Sequence, residues 1–595
     1  MKTLLPRRIA ATILLSVAAL LLSLSSACQT QTEPTAPASN TQATLSRERT
    51  TGVRGGSLAY RVTSPPKTLN SLMIADEASY TVAFMLLGAR LIDFDHDAQR
   101  YVPALAESWQ LGEDKKTLEL TLREGLKFSD GQPLTAEDVA FTLRAIYDER
   151  TNSAFRTTLT IGDKQIEAQP LDARRIRFVF PETVAAPETY LVNVAVLPRH
   201  VLEPDLKKGT LGKAYELTSD PSRVVAAGAF AVEAVAPGER VALKRNPHYW
   251  KRDAAGNQLP YLDRLVVEVV GDANAAIARL NEGAVDIIDR IRITDYAALQ
   301  NPQGAVRAYD VGPGLSTDHL WFNLNESGID GQPLAVDAKK QAWFKDVRFR
   351  RAVAHAIDRE GIASSTLQGL ATPLYGFVSP GNRAWVADIP RTEYSLERAR
   401  ALLAEAGFVV KATQDAPELY DAGGNRVEWT LIVPVENEAR KAMAAVIQED
   451  LSRLGMKMQI APLEFGEIVG RTTQSLNYEA VLLGAVVTDI DPSSYSNILS
   501  SASTQHQWHP KQKKPATEWE ARIDTLLAML ARETDAERRR AVFREIQLNI
   551  VENQPVIPIA VRHIVSAANT RVGNYRPSAI IPYSLWNAEE LFIKK

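Results

Sequence analysis

The chain has little cysteine and little net charge, and both facts exclude broad classes of protein. Cys28 is the only cysteine among 595 residues, so no disulfide forms within the chain and packing has to stabilise the fold. The net charge is −3, and removing the three basic residues of the first 27 leaves −6. This mild acidity argues against nucleic-acid binding, which needs a basic face.

The sequence also lacks the common catalytic motifs, with no GxxxxGK[ST], HExxH or GxSxG. Ser64-Pro65-Pro66-Lys67 fits the SxxK pattern of serine hydrolases, but that chemistry needs a helical turn, which Pro66 disfavours. His506 and His509 have a metal-compatible spacing without an evident third ligand, and we expect a solvated loop there. We therefore expect no enzyme, no cofactor and no metal, and a secreted serine hydrolase is kept as a remote alternative.

Long apolar runs are confined to the beginning of the chain. Residues 9–24 are apolar with a few serines, they follow Lys2, Arg7 and Arg8, and small residues come next. This is the layout of a secretory signal, and the run is short for a membrane span of about 20 residues. We expect residues 1–27 to be removed on export.

Cys28 then has three interpretations: a buried thiol, a partner for another chain, or a lipid attachment site. A buried thiol fits poorly at the edge of a removed segment, and a lone exposed thiol is a liability in an oxidising compartment. Residues 25–28, SSAC, resemble a bacterial lipobox, with Ser25 where Leu is usual. This resemblance implies that Cys28 becomes the lipidated first residue of the mature protein.

Residues 28–52 predict a disordered tether. They are rich in Thr, Pro, Ala, Ser and Gln and have no apolar periodicity, so they cannot bury enough surface to fold. The remaining body of more than 540 residues exceeds one hydrophobic core, and two or more lobes are expected.

The body mixes strand and helix patterns, which predicts an α/β fold. Alternating or β-branched runs predict strands at residues 56–63, 117–126, 174–181, 240–246 and 262–271. Thr135, Asp346 and Ser395 each open an amphipathic segment as capping residues. Residues 428–463 read as strand, helix and strand, a βαβ unit that implies a parallel sheet.

One continuous motif points to a family. Residues 105–143, LAESWQLGEDKKTLELTLREGLKFSDGQPLTAEDVAFTL, combine a strand, a turn and a capped helix. They closely resemble the signature of the bacterial extracellular solute-binding proteins of family 5, the peptide- and nickel-binding components of ABC importers. Further motifs in the family's order are RNPHYW (245–250), LPYLD (259–263), FRRAVAHAIDREGI (349–362) and GLATPLYGFVSPG (369–381).

The resemblance implies a type II periplasmic-binding-protein fold, with two α/β lobes joined by a hinge and an extra subdomain on the first lobe. Lobe 1 would take residues 53–315 and return at 552–595, with the subdomain at about 86–190. Lobe 2 would run over residues 316–551. Ligand would be trapped between the closing lobes.

Family resemblance also implies where ligand binds. In peptide-binding members one wall follows the first strand, here Thr63-Ser64, and the other matches GWxxDxxDP, here residues 484–492. This sequence departs from that pattern, because Thr488 stands where the family's ammonium-binding Asp is expected. Asp489 follows one residue later, and on an extended segment its side chain turns to the other face, so the ammonium-binding carboxylate is missing unless a bulge restores it. The expected site residues are Thr63, Ser64, Trp321, Asn323, Tyr375, Gly484, Val486, Thr488, Asp489, Asp491 and Tyr495.

The expected function is therefore the substrate-binding component of an ABC importer. It would capture a peptide or peptide-like solute and deliver it to a membrane permease with its ATPase subunits. The same role for a metal chelate, a sugar or an opine stays open. We expect an exported monomer in the periplasm or at the cell surface, anchored by lipid on Cys28.

Overall fold

The computed structural model describes residues 49–300, 304–328, 331–412, 416–487 and 489–595. The predicted signal, Cys28, nearly all of the predicted tether and Thr488 lie outside these residues. No helix in the described ranges is long and apolar enough to cross a membrane.

The structure contains a twelve-stranded mixed sheet that runs through the whole body. In chain order its strands are β1 (Ser57–Val62), β2 (Phe230–Ala236), β3 (Arg240–Arg245), β4 (Arg264–Val269), β5 (Ile287–Ile288), β6 (Val306–Pro313), β7 (Thr317–Phe322), β8 (Ala371–Pro373), β9 (Glu428–Pro434), β10 (Lys457–Leu463), β11 (Ala480–Ala485) and β12 (Val556–Asn569). They are paired in the order β2-β3-β4-β1-β5-β12-β7-β11-β9-β10, and β6 and β8 also pair with β12.

Strand β12 joins the two halves of this sheet. Its first half pairs with β7 and β8, and its second half, from His563 to Asn569, pairs with β6 and β5. The turn between Pro313 and Thr317, which links β6 to β7, is a second crossing between the halves. The chain therefore crosses between the two halves at two places, as expected for a hinge.

Helices connect the strands and bury apolar side chains in the hydrophobic cores. The longer ones are Ala136–Tyr147, Arg199–Lys208, Ala273–Asn281, Ile293–Ala298, Ala338–Lys345, Val347–Ala356, Leu396–Glu405, Glu438–Ser452, Phe465–Gly470, Glu518–Leu530 and Ala536–Asn553. Three segments are π-helical: Tyr80–Leu86, Ile362–Thr366 and Arg471–Ser475.

Two large hydrophobic cores separate along the chain. The first takes buried residues from 58–287 and 568–591, and the second takes them from 315–560 with Ile580. We call the bodies around these cores lobe 1 and lobe 2. Burial of two separate apolar interiors is the expected solution for a chain this long.

Residues of the family-like motif form two strands of a four-stranded antiparallel sheet in lobe 1. Its strands are Ala106–Leu111, Thr117–Leu122, Glu167–Pro170 and Arg175–Val179. The predicted capping box is confirmed, since Asp138 accepts a hydrogen bond from the Thr135 backbone N–H at 2.9 Å. The other two predicted caps are also confirmed: Asp346 accepts from the N–H of Arg348 and Ser395 from that of Arg398.

The predicted βαβ unit is confirmed in lobe 2. Strands β9 and β10 are parallel in register from Glu428 opposite Lys457, and the helix Glu438–Ser452 connects them. Asn437 accepts a hydrogen bond from the backbone of Arg440 and so caps this helix. Its buried Met443, Ile447 and Leu451 follow helical spacing and explain why the sequence pattern was readable.

Candidate ligand-binding cleft

Both sequence-predicted walls of the site lie at the carboxyl ends of parallel strands. In lobe 1, β1 is parallel to β4 and β5, and Thr63 and Ser64 follow it in exposed positions. In lobe 2, β11 is parallel to β9, which is parallel to β10, and Val486 follows β11. Ligands of open α/β sheets bind outside the carboxyl ends of strands.

The strand ends of lobe 2 carry three exposed apolar side chains. Val435, Phe465 and Val486 follow β9, β10 and β11 or lie one residue beyond, and Val486 is 73% exposed. They follow neighbouring strands of the sheet, at the edge where ligands of open α/β sheets bind.

A cavity of about 330 Å³ lies between the lobes. Lobe 1 contributes most of the wall, and lobe 2 contributes Asp489, Ile490 and Ile580. The lining residues are Tyr80, Phe84, Met85, Arg90, Asp93, Phe94, His96, Tyr101, Val192, Asn193, Asp489, Ile490, Ile580, Ile581 and Pro582. We call this cavity the aromatic chamber.

Asp489 is the charged side chain that lobe 2 contributes to the aromatic chamber. Its carboxylate accepts a hydrogen bond from the Asp491 backbone N–H at 2.9 Å and lies 3.4 Å from the Tyr101 hydroxyl of lobe 1. Burial in the cleft raises the pKa of Asp489, and the nearby Asp491 carboxylate adds to the effect. Within the described part of the chain no Lys, Arg or His forms an ion pair with it.

Asp489 thus lines the cleft; a regular extended segment would turn its side chain to the other face, and a bulge would restore it. Strand β11 ends at Ala485, so the alternation of faces along an extended strand no longer applies at Asp489, four residues later. Irregular backbone after the strand lets the carboxylate line the cavity.

Asp491, two residues further on, has a structural role. It receives two hydrogen bonds from the Arg539 guanidinium, at 2.6 and 2.8 Å, and both side chains are buried. It also caps the 3₁₀ turn Pro492–Tyr495 by accepting from the Ser493 backbone. Its charge is thus neutralised in place, in contrast to that of Asp489.

The other charged groups of the aromatic chamber are paired. Arg90 donates to both Asp93 oxygens at 2.9 Å. Burial alone would raise the pKa of Asp93, but the Arg90 charge, the Phe94 backbone N–H and the nearby Lys251 together lower it. Burial lowers the pKa of His96 to about 4, so this imidazole is neutral near pH 7. The His96 Nδ1 lies 2.9 Å from the Ser578 hydroxyl, and its ring stacks on Trp586 at 5.1 Å.

A turn of lobe 1 meets lobe 2 beside the cavity. The Gln99 side-chain amide donates to the Gly381 carbonyl at 2.7 Å and accepts from the Arg383 backbone at 2.9 Å. The Arg383 guanidinium donates to the Asp97 carbonyl at 2.7 Å. These contacts link the rims of the two lobes in this arrangement.

Four of the predicted site residues pack or form hydrogen bonds inside lobe 2. Trp321 and Tyr495 lie in its hydrophobic core, and Asn323 is buried with its amide donating to the Leu476 and Tyr478 carbonyls at 2.9 Å. Tyr375 donates to Glu360 at 2.9 Å. None of these four side chains lines the aromatic chamber.

Gly484 has a local steric role. A Cβ at this position would lie 2.3 Å from the Arg440 guanidinium, which donates to the buried Asp318 at 2.8 Å. The glycine thus gives room to an ion pair beside the crossing strands.

The SxxK segment and His506 each have a local structure that bears on the sequence predictions. Residues 64–67 are not helical, so Ser64 and Lys67 do not share the helical turn that the SxxK chemistry needs. The solvated loop expected at His506 is wrong, because this ring is buried against Trp508 at 4.1 Å. Among the described residues no cluster of three or more metal-ligating side chains occurs.

Sequence reasoning missed the lobe 1 wall of the aromatic chamber. Tyr80, Phe84, His96 and Tyr101 were not singled out, although rings are dense between residues 80 and 101. The π-helix Tyr80–Leu86 presents the first two, and its i→i+5 geometry has no period that a sequence pattern would reveal.

Comparisons with known proteins agree with this architecture. The family model "Bacterial extracellular solute-binding proteins, family 5 Middle" matches residues 100–507. A "Probable ABC transporter-binding protein" of Deinococcus radiodurans is 28% identical over 88% of this chain and 90% of its own. The "Oligopeptide-binding protein AppA" of Bacillus subtilis is 25% identical over 91% of this chain and 92% of its own.

A solved structure shows the same fold. The ABC transporter substrate-binding protein CtaP of Listeria monocytogenes superposes with a TM-score of 0.73 at 22% identity, covering 91% of this chain and all of that chain. The predicted two-lobed α/β fold is thereby confirmed. Since the family model spans more than half of the sequence, the chain belongs to the bacterial extracellular solute-binding proteins of family 5.

Proposed function

We propose that this protein is the binding component of an ABC importer that captures a peptide or peptide-like solute through its free amine. The observation that carries the proposal is Asp489, a carboxylate without an ion-pair partner in the described residues that lines a cavity between the lobes. A buried charge is costly unless it is paired, so this site favours a cationic group from outside. A relative similar to this chain is named as an oligopeptide-binding protein, which agrees with an amine-bearing ligand.

Ligand would act by joining the two lobes. An ammonium at Asp489 would also contact the lobe 1 wall, where Tyr101 already lies 3.4 Å from the carboxylate. A ligand that contacts both lobes stabilises the closed arrangement, which a permease can then recognise. The role is binding, and no catalytic step is assigned.

The lobe boundaries belong to the same proposal. We place lobe 1 at residues 53–315 and 552–595, with a subdomain at about 86–190, and lobe 2 at residues 316–551. The two hydrophobic cores divide the chain near these positions, which supports the proposal.

Export and anchoring follow from the beginning of the sequence. We propose that residues 1–27 are removed, that Cys28 carries lipid, and that residues 28–52 tether a monomeric body to a membrane. Two or three acyl chains give stable anchoring where one does not.

A thermal-shift screen of the purified body tests the ligand class. The panel contains dipeptides to pentapeptides, the same peptides N-acetylated, metal chelates including nickel-histidine, sugars and opines. We expect free-amine peptides to raise the melting temperature and their acetylated forms to have a much smaller effect. A shift with a chelate, sugar or opine alone would replace the peptide by that class, and equal shifts with acetylated peptides would remove Asp489 from the account.

A further inference from the structure

We propose that the aromatic chamber selects the first residue of the ligand, accepting a large apolar or aromatic side chain next to the free amine and rejecting charged ones. This inference rests on the proposed function and adds the ligand's side-chain class. It is argued from the charges, rings and shape of the chamber wall.

The chamber wall has one unpaired negative charge and can therefore bind one cation. Arg90 and Asp93 neutralise each other, and Arg90 also donates to the Phe84 carbonyl at 3.2 Å. His96 is held between Ser578 and Trp586 and is uncharged near pH 7. The remaining charge on the lining residues is the carboxylate of Asp489.

Aromatic rings make up much of the wall and are fixed by one another. Tyr80 stacks on Phe84 at 5.2 Å, and Phe94 meets Tyr101 edge-on at 5.7 Å. Such pairs are stabilised beyond the effect of their buried area, so the wall keeps its shape without ligand. A preformed apolar wall favours an apolar group and costs little to organise.

The π-helical backbone places three of the lining side chains on the same side of one helix. Tyr80, Phe84 and Met85 all belong to the π-helix Tyr80–Leu86, and all three line the chamber. An α-helix would turn residues 80 and 85 to different faces, whereas the wider π-helix aligns residues five apart. π-Helical turns frequently occur at functional sites.

The volume of the aromatic chamber limits the size of the ligand residue that can bind in it. About 330 Å³ is at the small end of ligand pockets, which range from roughly 300 to 1,000 Å³. The chamber is therefore suited to one large residue and its amine, and the rest of a peptide would continue along the cleft.

Charged first residues are disfavoured for opposite reasons. An acidic side chain would bring a second carboxylate beside Asp489 in a poorly solvated space. A lysine would add a second cation where one carboxylate is available. Either leaves a charge unpaired after desolvation.

The test is isothermal titration calorimetry of the wild-type body with Phe-Ala, Leu-Ala, Gly-Ala, Asp-Ala and Lys-Ala. Burying a Phe or Leu side chain predicts that Phe-Ala and Leu-Ala bind about 10- to 100-fold more tightly than Gly-Ala. Asp-Ala and Lys-Ala should bind more weakly than Gly-Ala. Affinities within threefold across the series would overturn the inference and leave the proposed function intact, whereas no binding by any of the five would overturn both.

Two variants test whether the chamber wall determines the selectivity for the first residue. Tyr80→Ala removes a ring of the chamber, and Tyr394→Ala removes a tyrosine that is 41% exposed elsewhere, in lobe 2. We expect Tyr80→Ala to weaken Phe-Ala about 2- to 10-fold and to leave Gly-Ala unchanged, with Tyr394→Ala like wild type. Equal weakening of both dipeptides by Tyr80→Ala would contradict the assignment, and the dipeptide series on the wild type decides it if this variant does not fold.

Discussion

Replacing His319 by leucine should make lobe 2 less sensitive to acid. His319 lies on β7 with no exposed surface, and its ring packs against that of Phe377 at 5.3 Å between centroids. Neither ring nitrogen has a hydrogen-bond partner within the described ranges. Burial lowers its pKa from 6.5 to about 4, with Asp318 raising it and Arg440 lowering it further. The unfolded chain therefore binds a proton more readily than the folded one between these values.

The size of the effect follows from this difference. The stabilising effect of the neutral imidazole is complete above pH 6.5 and is lost as the pH falls towards 4, because protons then favour the unfolded chain. A difference of about 2.5 units corresponds to about 3.4 kcal/mol, of which about 2 kcal/mol is lost by about pH 5. His96 has the same shift, so the wild type loses more than this in total.

Urea unfolding followed by circular dichroism at about pH 7.5 and about pH 5 measures the effect. Wild type should lose about 2 kcal/mol more than His319→Leu between the two conditions. His248→Leu, at a partly exposed histidine of lobe 1, is the matched control and should behave like wild type. An equal loss in wild type and His319→Leu would refute the reasoning.

Three further predictions concern Asp491, Asp489 and Cys28. Asp491→Asn should lower the free energy of unfolding by roughly 3–5 kcal/mol, because Arg539 is left buried with its charge uncompensated, and a loss below about 1 kcal/mol would contradict the pairing. Because burial raises the pKa of Asp489, the affinity for a free-amine peptide should fall as the pH drops through that raised value, since the protonated carboxyl no longer attracts the amine. Calorimetry at a series of pH values from about 7 downwards tests this, and an affinity that stays constant over the series would count against it. Cys28→Ala in the full chain should abolish lipid labelling and membrane retention while the affinity for peptide is unchanged, and a drop in affinity would contradict the division into anchor and body.

Much of the fold was predictable because its signals are local. Thr135, Asp346 and Ser395 cap helices through hydrogen bonds that span three residues or fewer, and a short window of sequence contains both partners. The βαβ unit around residues 428–463 was readable for a similar reason, since its strands are continuous apolar runs and its helix has a regular stripe.

The site was less predictable because it depends on contacts between distant parts of the chain. Asp489 and Tyr101 are separated by 388 residues, and their proximity exists only when the lobes are folded and apposed. The orientation of Asp489 depends on where β11 ends, and boundaries of strands are poorly fixed by sequence. Trp321 and Tyr495 were chosen as aromatic candidates, but aromatic side chains serve cores as well as clefts.

The central claim is that the Asp489 carboxylate binds the free amine of the ligand. Calorimetric titration of Phe-Ala into wild type, Asp489→Asn and the control Asp388→Asn, an exposed aspartate outside the chamber, tests it directly. A hydrogen bond to a charged group is stabilising by about 1.5–3 kcal/mol, so Asp489→Asn should weaken binding about 10- to 100-fold and Asp388→Asn should not. Wild-type affinity in Asp489→Asn would contradict the account.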